Sequence, residues 1–367
     1  MTFDRPSHGG NIEWAASIAG CNPEEILDFS ASINPLGMPN SVVRTLRSPA
    51  VFAQILHYPD PNYSRLRQAI AAHHQISPDC VLPGNGVAEL LTWVSKDLAA
   101  LAVVTLPIPA FNDYFRALKT AGANLRKVPI DFTKAEDRPE DLSIPLPPST
   151  NGKSEGILLN NPHNPTGKLY QREQLLPLLD RYELIVIDEA FMDFLPPSSS
   201  QSLVDLVESH PNLVILRSLT KFYALPGLRI GYAIAHPDRL HTWQMWRDPW
   251  SVNCLAMEAA IAALGDREFQ HKTWQWLPVA RASLHHSLGE ISGIKPIMGA
   301  ANFLLVESPE KSVIQLRNYL LTEHRILIRD CHSFPELGDR YFRLCVKTLA
   351  EQEKLLQGIY NSTKSDA

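Results

Sequence analysis

The chain has 367 residues, 45% of them apolar, and a formal net charge of -5 from 34 basic and 39 acidic residues. That is enough apolar material for a large core in two packed units, while basic residues scattered in ones and twos exclude a nucleic-acid-binding stripe. The most apolar run, around Leu98 to Phe111, is shorter than the ~20 residues of a membrane span, and the first residues have no apolar h-region, so no membrane span and a cytoplasmic location are expected.

Five cysteines, at positions 21, 80, 254, 331 and 345, lie far apart with no CxxC pair. They predict reduced thiols and no metal site. After a polar first segment, the run Ser30 to Pro39 is stopped by prolines and glycine and reads as an ordered arm or loop. Helical spacing follows at Ser41 to Leu46 and at Tyr63 to His74, where Leu66 and Ile70 recur on one face.

Cys80-Val-Leu-Pro-Gly84-Asn85-Gly86 then leads into an amphipathic helix from Val87, an arrangement that offers free backbone N–H groups to an anion. Strands are expected at Leu101 to Leu106 and Leu125 to Ile130, on either side of a helix over Asn112 to Thr120. The Pro-, Ser- and charge-rich stretch 133–152 reads as a surface loop. Beyond it come a strand at Gly156 to Leu159, a helix at Gln171 to Leu179, and strands at Leu184 to Ile187, Leu213 to Leu216 and Ile230 to Ala233.

Buried apolar strands alternating with helices predict an α/β fold with a mostly parallel sheet covered on both faces, its ligands at the carboxyl ends of the strands. After Pro249 the pattern changes to a long helical region, Cys254 to Leu288. Short segments follow at Asn302 to Val306, Ser312 to His324, Ile326 to Ile328 and Tyr341 to Val346, a smaller α+β unit. The expected division is therefore an N-terminal arm and substrate-side loop over 1–40, a large cofactor-binding domain over 41–248, and a small domain over 249–367.

The chemistry centres on Lys221, just after an apolar strand. Its amine can condense with an aldehyde cofactor and afterwards carry a proton. An isolated lysine would more often be a solvated surface group. Here Ser218 and Arg229 flank it, a hydroxyl and a planar guanidinium able to meet one phosphate together with the Gly84-Asn85-Gly86 turn.

Asp188 closes the strand Leu184-Ile-Val-Ile-Asp188, where a carboxylate can pair with a pyridinium nitrogen and keep it protonated. A metal-binding aspartate of nucleotide hydrolases would look the same locally, but no GxxxxGK[ST] accompanies it. In Asn160-Asn-Pro-His-Asn164-Pro-Thr-Gly167 the prolines and glycine fix a turn that leaves the Asn164 amide placed to donate to a phenolic oxygen.

Together these segments resemble the fold-type-I pyridoxal-5′-phosphate enzymes of the aspartate aminotransferase superfamily, over nearly the whole chain. The resemblance implies pyridoxal 5′-phosphate as cofactor, with Asn164, Asp188, Lys221 and Arg229 as its ligands and Arg343 as the holder of the substrate carboxylate. It further implies that Gly86, Val87 and Ala88 meet the cofactor phosphate and that Phe111 covers the ring. Tyr58, in Tyr58-Pro-Asp-Pro61, is expected to reach the phosphate in a partner subunit, which implies a homodimer with the active site near its interface.

Within the superfamily the chain is similar to the histidinol-phosphate aminotransferase branch and, more closely, to the threonine-phosphate decarboxylases of cobalamin synthesis. His8-Gly9-Gly10-Asn11, Asp28 to Gly37 and Ile328-Arg329-Asp-Cys-His-Ser-Phe334 carry that likeness. It implies a phosphorylated amino acid as substrate, its phosphate end held by Arg329 with His8 and Asn34, and Asn164 beside the substrate. Phe191 stands where most aminotransferases have a tyrosine able to donate to the ring oxygen; the decarboxylase-like members share the phenylalanine. Decarboxylation of L-threonine O-3-phosphate is thus expected, with histidinol-phosphate transamination and a non-catalytic binding protein as the alternatives.

Overall fold

The computed structural model describes residues 9–132, 144, 147–148 and 154–364. The expected loop over 133–152 lies almost wholly outside the described residues. Near the start, the segment read as a polar lead-in forms the helix Ile12–Ala19. Asn11 caps it by accepting from the Trp14 N–H at 3.0 Å, and Gly20 ends it at φ 64°. A two-residue strand, β1 (Leu27–Asp28), follows.

The main sheet contains β2 (Val81–Gly84), β3 (Val103–Ile108), β4 (Leu125–Pro129), β5 (Glu155–Asn160), β6 (Leu184–Asp188), β7 (Leu213–Ser218) and β8 (Gly231–Ala235), in the order β2-β8-β7-β6-β5-β3-β4. From β7 to β4 every neighbour is parallel. β8 alone is reversed, antiparallel to both β7 and β2. Alternate side chains of one strand feed two cores: Ile185 and Ile187 of β6 join the one that continues into the C-terminal part, while Leu184 and Val186 join the one on the other face. Burial on both faces explains the unbroken apolar runs in the sequence.

The helix Cys254–Gly265 packs on Asn40–Leu46 and Ser64–His74, and a second helix, Arg267–Gly289, continues from it. The long helical region expected here is thus made of two helices. The break falls at Asp266, whose side chain accepts from the Phe269 N–H at 3.0 Å and so starts the second helix. Similarly, the helix expected at Gln171 to Leu179 is two short helices, Arg172–Leu175 and Leu178–Arg181, parted at Pro177, which has no N–H to give.

The C-terminal part holds β9 (Lys295–Ile297), β10 (Phe303–Glu307), β11 (Ile326–Leu327), β12 (Arg329–Asp330) and β13 (Tyr341–Cys345). Four of these form an antiparallel sheet in the order β12-β13-β10-β9, and β11 pairs in parallel with β1. This pairing ties the N-terminal arm to the segment that carries Arg329. β9 and the last helix, Leu349–Lys364, were not anticipated from the sequence. No helix among the described residues is long and apolar enough to cross a membrane.

Candidate active site

The carboxyl ends of β5, β6 and β7 open into a cleft of about 500 Å³, which Arg329, Ser333, Phe334 and Arg343 also line. Parallel register sets Asn160 opposite Asp188 and so brings the Asn160 to Gly167 turn beside the end of β6. That turn is held from behind by His163. Its Nδ1 pairs with Thr166 Oγ1 at 2.8 Å and its Nε2 with the Pro109 carbonyl at 3.0 Å. Burial pushes the imidazole down to about 4, so it is neutral, with the Nε2–H as donor.

Lys221 and Asp188 both line this cleft. Asp188 is nearly buried; its Oδ2 accepts from the Tyr114 hydroxyl at 2.7 Å and its Oδ1 from the Ala190 N–H at 2.9 Å. Burial raises the carboxyl, while those two hydrogen bonds and the charge of Lys221 pull it back toward the ionised form. Lys221 lies in the short helix Leu219–Phe222, which Ser218 caps. Its pKa is lowered to about 8 by burial first, then by the charges of Arg343 and Arg229, against the opposing pull of Asp188. An amine so placed is a usable nucleophile near neutral pH.

The anion cradle forms at the start of the helix Val87–Ala99. The Asn85 N–H donates to Glu89 Oε2 at 2.6 Å and the Gly86 N–H to the Gly84 carbonyl, so the first helical residues on the cleft wall are Val87 and Ala88. Gly86 serves by leaving space. It sits at φ 73°, and a Cβ there would lie 2.8 Å from Arg229 Nη2. Arg229 itself adopts φ 55° and donates to the Pro226 carbonyl at 3.2 Å. Ser218 Oγ and Thr220 Oγ1 are 2.7 Å apart on the same wall.

Arg343 and Arg329 are direct register partners on β13 and β12. Arg343 donates to Asn164 Oδ1 at 2.5 Å and to the Ser30 carbonyl at 3.3 Å, and its guanidinium lies 4.9 Å over the Phe303 ring. Burial and the charge of Arg329 lower it to about 10, and its buried Nε has no partner among the described residues. Arg329 donates to Ser333 Oγ at 2.6 Å. Two guanidiniums side by side, in the same cleft as the amine, form a site for a substrate bearing more than one negative charge.

Of the residues expected from the sequence, the cleft wall brings together Val87, Ala88, Phe111, Asn164, Asp188, Ser218, Lys221, Arg229, Arg329 and Arg343, with Gly86 just behind. Asn34 is not brought there. Its Nδ2 donates to the Phe222 carbonyl at 2.9 Å and to Thr273 Oγ1 at 3.0 Å, its Oδ1 accepts from the Leu36 N–H, and its own N–H donates to the Lys221 carbonyl. It braces the lysine segment from behind. Tyr58 is also outside its own chain's cleft, 80% exposed and tilted against Trp250 at 4.6 Å between centroids. His8 lies outside the described residues.

Several cleft residues went unnoticed in the sequence, among them Arg116, Tyr114, Thr220 and Ser32, whose buried hydroxyl has no partner among the described residues. Tyr114 carried a signal, since it falls one helical turn after Phe111.

The sequence matches the family described as "Aminotransferase class I and II" over residues 24–359. The chain belongs to that family. As a member it is a fold-type-I pyridoxal-5′-phosphate enzyme, and its residues fit the cofactor: a lysine amine, a buried carboxylate and a cradle of helical N–H groups, a hydroxyl and a guanidinium face one cleft. The threonine-phosphate decarboxylase of Salmonella typhimurium is 37% identical over 369 residues, 98% of either chain. Among solved structures, histidinol-phosphate aminotransferase from Clostridium acetobutylicum is 28% identical with a TM-score of 0.80, covering 93% of this family member and 100% of that chain. The same fold recurs at 22% identity and a TM-score of 0.82 in histidinol-phosphate aminotransferase from Sinorhizobium meliloti, solved in complex with pyridoxal 5′-phosphate, over 99% of this aminotransferase-family chain and 96% of that one.

Proposed function

We propose that the protein decarboxylates L-threonine O-3-phosphate to (R)-1-aminopropan-2-ol O-phosphate, a reaction of cobalamin synthesis. The observation that carries this reading is the pair Arg329 and Arg343, adjacent on β12 and β13 and both lining the cleft that holds Lys221. Full-length similarity to the Salmonella decarboxylase supports the same choice.

When bound, pyridoxal 5′-phosphate supplies an electron sink that takes up the electron pair left at Cα when a bond there breaks. The chain decides which bond. Arg343, held by Asn164 and Ser30, grips the α-carboxylate, and Arg329 grips the side-chain phosphate. Two anion grips at opposite ends of a short substrate fix the torsion about Cα.

In decarboxylation the Cα–carboxylate bond breaks, carbon dioxide leaves and a proton is delivered to Cα. The Lys221 amine, with its pKa near 8, is the group able to exchange that proton. Phe191 packs on Phe303 at 5.0 Å between centroids and offers no hydroxyl to the ring oxygen. This absence favours the decarboxylase reading over an ordinary aminotransferase.

The second reading is transamination of histidinol phosphate, favoured by the likeness to the Clostridium structure. Incubating the holoenzyme with either phosphorylated amine and measuring carbon dioxide against glutamate formed from 2-oxoglutarate separates the two. Carbon dioxide from threonine phosphate is expected; glutamate at a comparable rate from histidinol phosphate refutes the proposal.

The same reading makes the protein a cytoplasmic homodimer. Phe52, Leu56, Tyr58, Met245 and Trp250 are all 45% exposed or more, an apolar set suited to a second copy. Tyr58, outside its own cleft, would then serve the cofactor phosphate of the other subunit. Sedimentation at micromolar concentration is expected to give a dimer, and a monomer would overturn this part.

A further inference from the structure

Tyr114 belongs to none of the motifs above, yet it makes the shortest polar contact to Asp188. It is 1% exposed, lines the cleft, and donates its hydroxyl proton to Asp188 Oδ2 at 2.7 Å, while the Ala190 N–H occupies Oδ1. Burial, reinforced by the negative charge of Asp188, lifts the phenol well above its ordinary pKa, so its oxygen keeps the proton and stays a donor. Burial also raises Asp188, and the Tyr114 hydrogen bond is the strongest influence opposing that rise, ahead of the Ala190 N–H and the Lys221 charge. The Phe111 and Tyr114 rings meet edge to face at 5.5 Å, so one turn of the helix Asn112–Ala121 joins a ring on the cleft wall to the carboxylate's anchor.

We infer that Tyr114 is a positioning residue for Asp188, holding the carboxylate in one rotamer and in its ionised form for the pyridine nitrogen of the cofactor. A phenol suits this task better than an imidazole. It remains a donor throughout the neutral range, where a histidine would change charge and with it the acidity of its partner. An ionised Asp188 keeps the ring nitrogen protonated, and the protonated ring is the stronger electron sink whichever bond at Cα breaks. The inference therefore stands apart from the choice between decarboxylation and transamination.

The test is Tyr114→Phe, which removes one oxygen and keeps the ring, read in the full-length holoenzyme carrying cofactor labelled with ¹⁵N in the pyridine ring. The ¹⁵N resonance is expected to shift from the protonated position toward the unprotonated one at neutral pH, while the wild-type resonance stays put. Cofactor affinity is expected to weaken by about tenfold, the scale of one hydrogen bond to a charged group. In an Asp188→Asn background the same Tyr114→Phe change is expected to leave the dissociation constant within about twofold, because the group it acts through is gone.

An unmoved ¹⁵N resonance, or an equal loss of affinity in both backgrounds, overturns the inference and leaves Tyr114 a packing residue. Should the phenylalanine variant not fold, 3-fluorotyrosine at position 114 keeps the shape and strengthens the donor. It is expected to tighten cofactor binding, and unchanged or weaker binding overturns the proposal equally.

Discussion

Lys221 gives the sharpest handle on this site, because its reactivity with an aldehyde requires the neutral amine. An ordinary lysine titrates at 10.5, and burial with the nearby Arg343 and Arg229 charges brings this one to about 8. The difference amounts to a factor of about 300 in neutral amine at pH 7. In cofactor-free protein mixed with pyridoxal 5′-phosphate, the rate of capture, followed by absorbance, is expected to rise with a midpoint near pH 8. Arg343→Gln removes the charge with the stronger influence on the amine and is expected to move the midpoint upward. Stability follows the same group. Below about pH 8 both folded and unfolded chains hold the proton and the cost of burying it is present in full. Between about 8 and 10.5 the folded state has released a proton that the unfolded state keeps, so the cofactor-free protein gains stability as pH rises. Lys221→Met is expected to abolish that gain. A wild-type capture midpoint at or above 10 would refute the reasoning, since the amine would then be solvated.

Gly86→Ala places a Cβ 2.8 Å from Arg229 Nη2 at a residue whose φ is 73°. Displacing that guanidinium is expected to weaken cofactor affinity about tenfold, measured by titration of cofactor-free protein, with the fold retained. Arg217 donates to Asp193 at 2.5 Å and pairs with Glu189 at 2.8 Å, all nearly buried. Arg217→Met leaves two carboxylates uncompensated and is expected to cost about 3–5 kcal/mol in denaturant unfolding; a loss below about 1 kcal/mol would mean that the pair is solvated. Asn34→Ala and Arg329→Met separate bracing from binding. The first is expected to lower stability by about 1–3 kcal/mol and to depress kcat, with KM for the phosphorylated substrate nearly unchanged. The second is expected to raise that KM by about tenfold or more at unchanged stability.

The sheet was legible because its strands are apolar on both faces and end in punctuating residues, Gly84 and Asp188 among them. What escaped has physical causes. The helix Ile12–Ala19 is short and rich in alanine and becomes a helix partly by packing on Leu321 and Leu327, over 300 residues away. The reversal of β8 depends on its pairing with both β2 and β7, and periodicity within one strand carries no direction.

The site divides along the same line. Lys221, Asp188, Asn164 and Arg229 were readable because each sits in a local motif at a strand end or turn. Tyr114 and Asn34 were not, because their roles are defined by partners 74 and 188 positions distant. A motif names a residue's type and leaves its direction open. Asn34 lies in the same arm as Ser30 and Ser32, which do reach the cleft, but three of its hydrogen bonds run to the Lys221 segment and to Thr273. One arm thus contributes wall residues to the cleft and a brace to the lysine segment, so a displacement of the arm would change substrate contacts and the setting of the amine together.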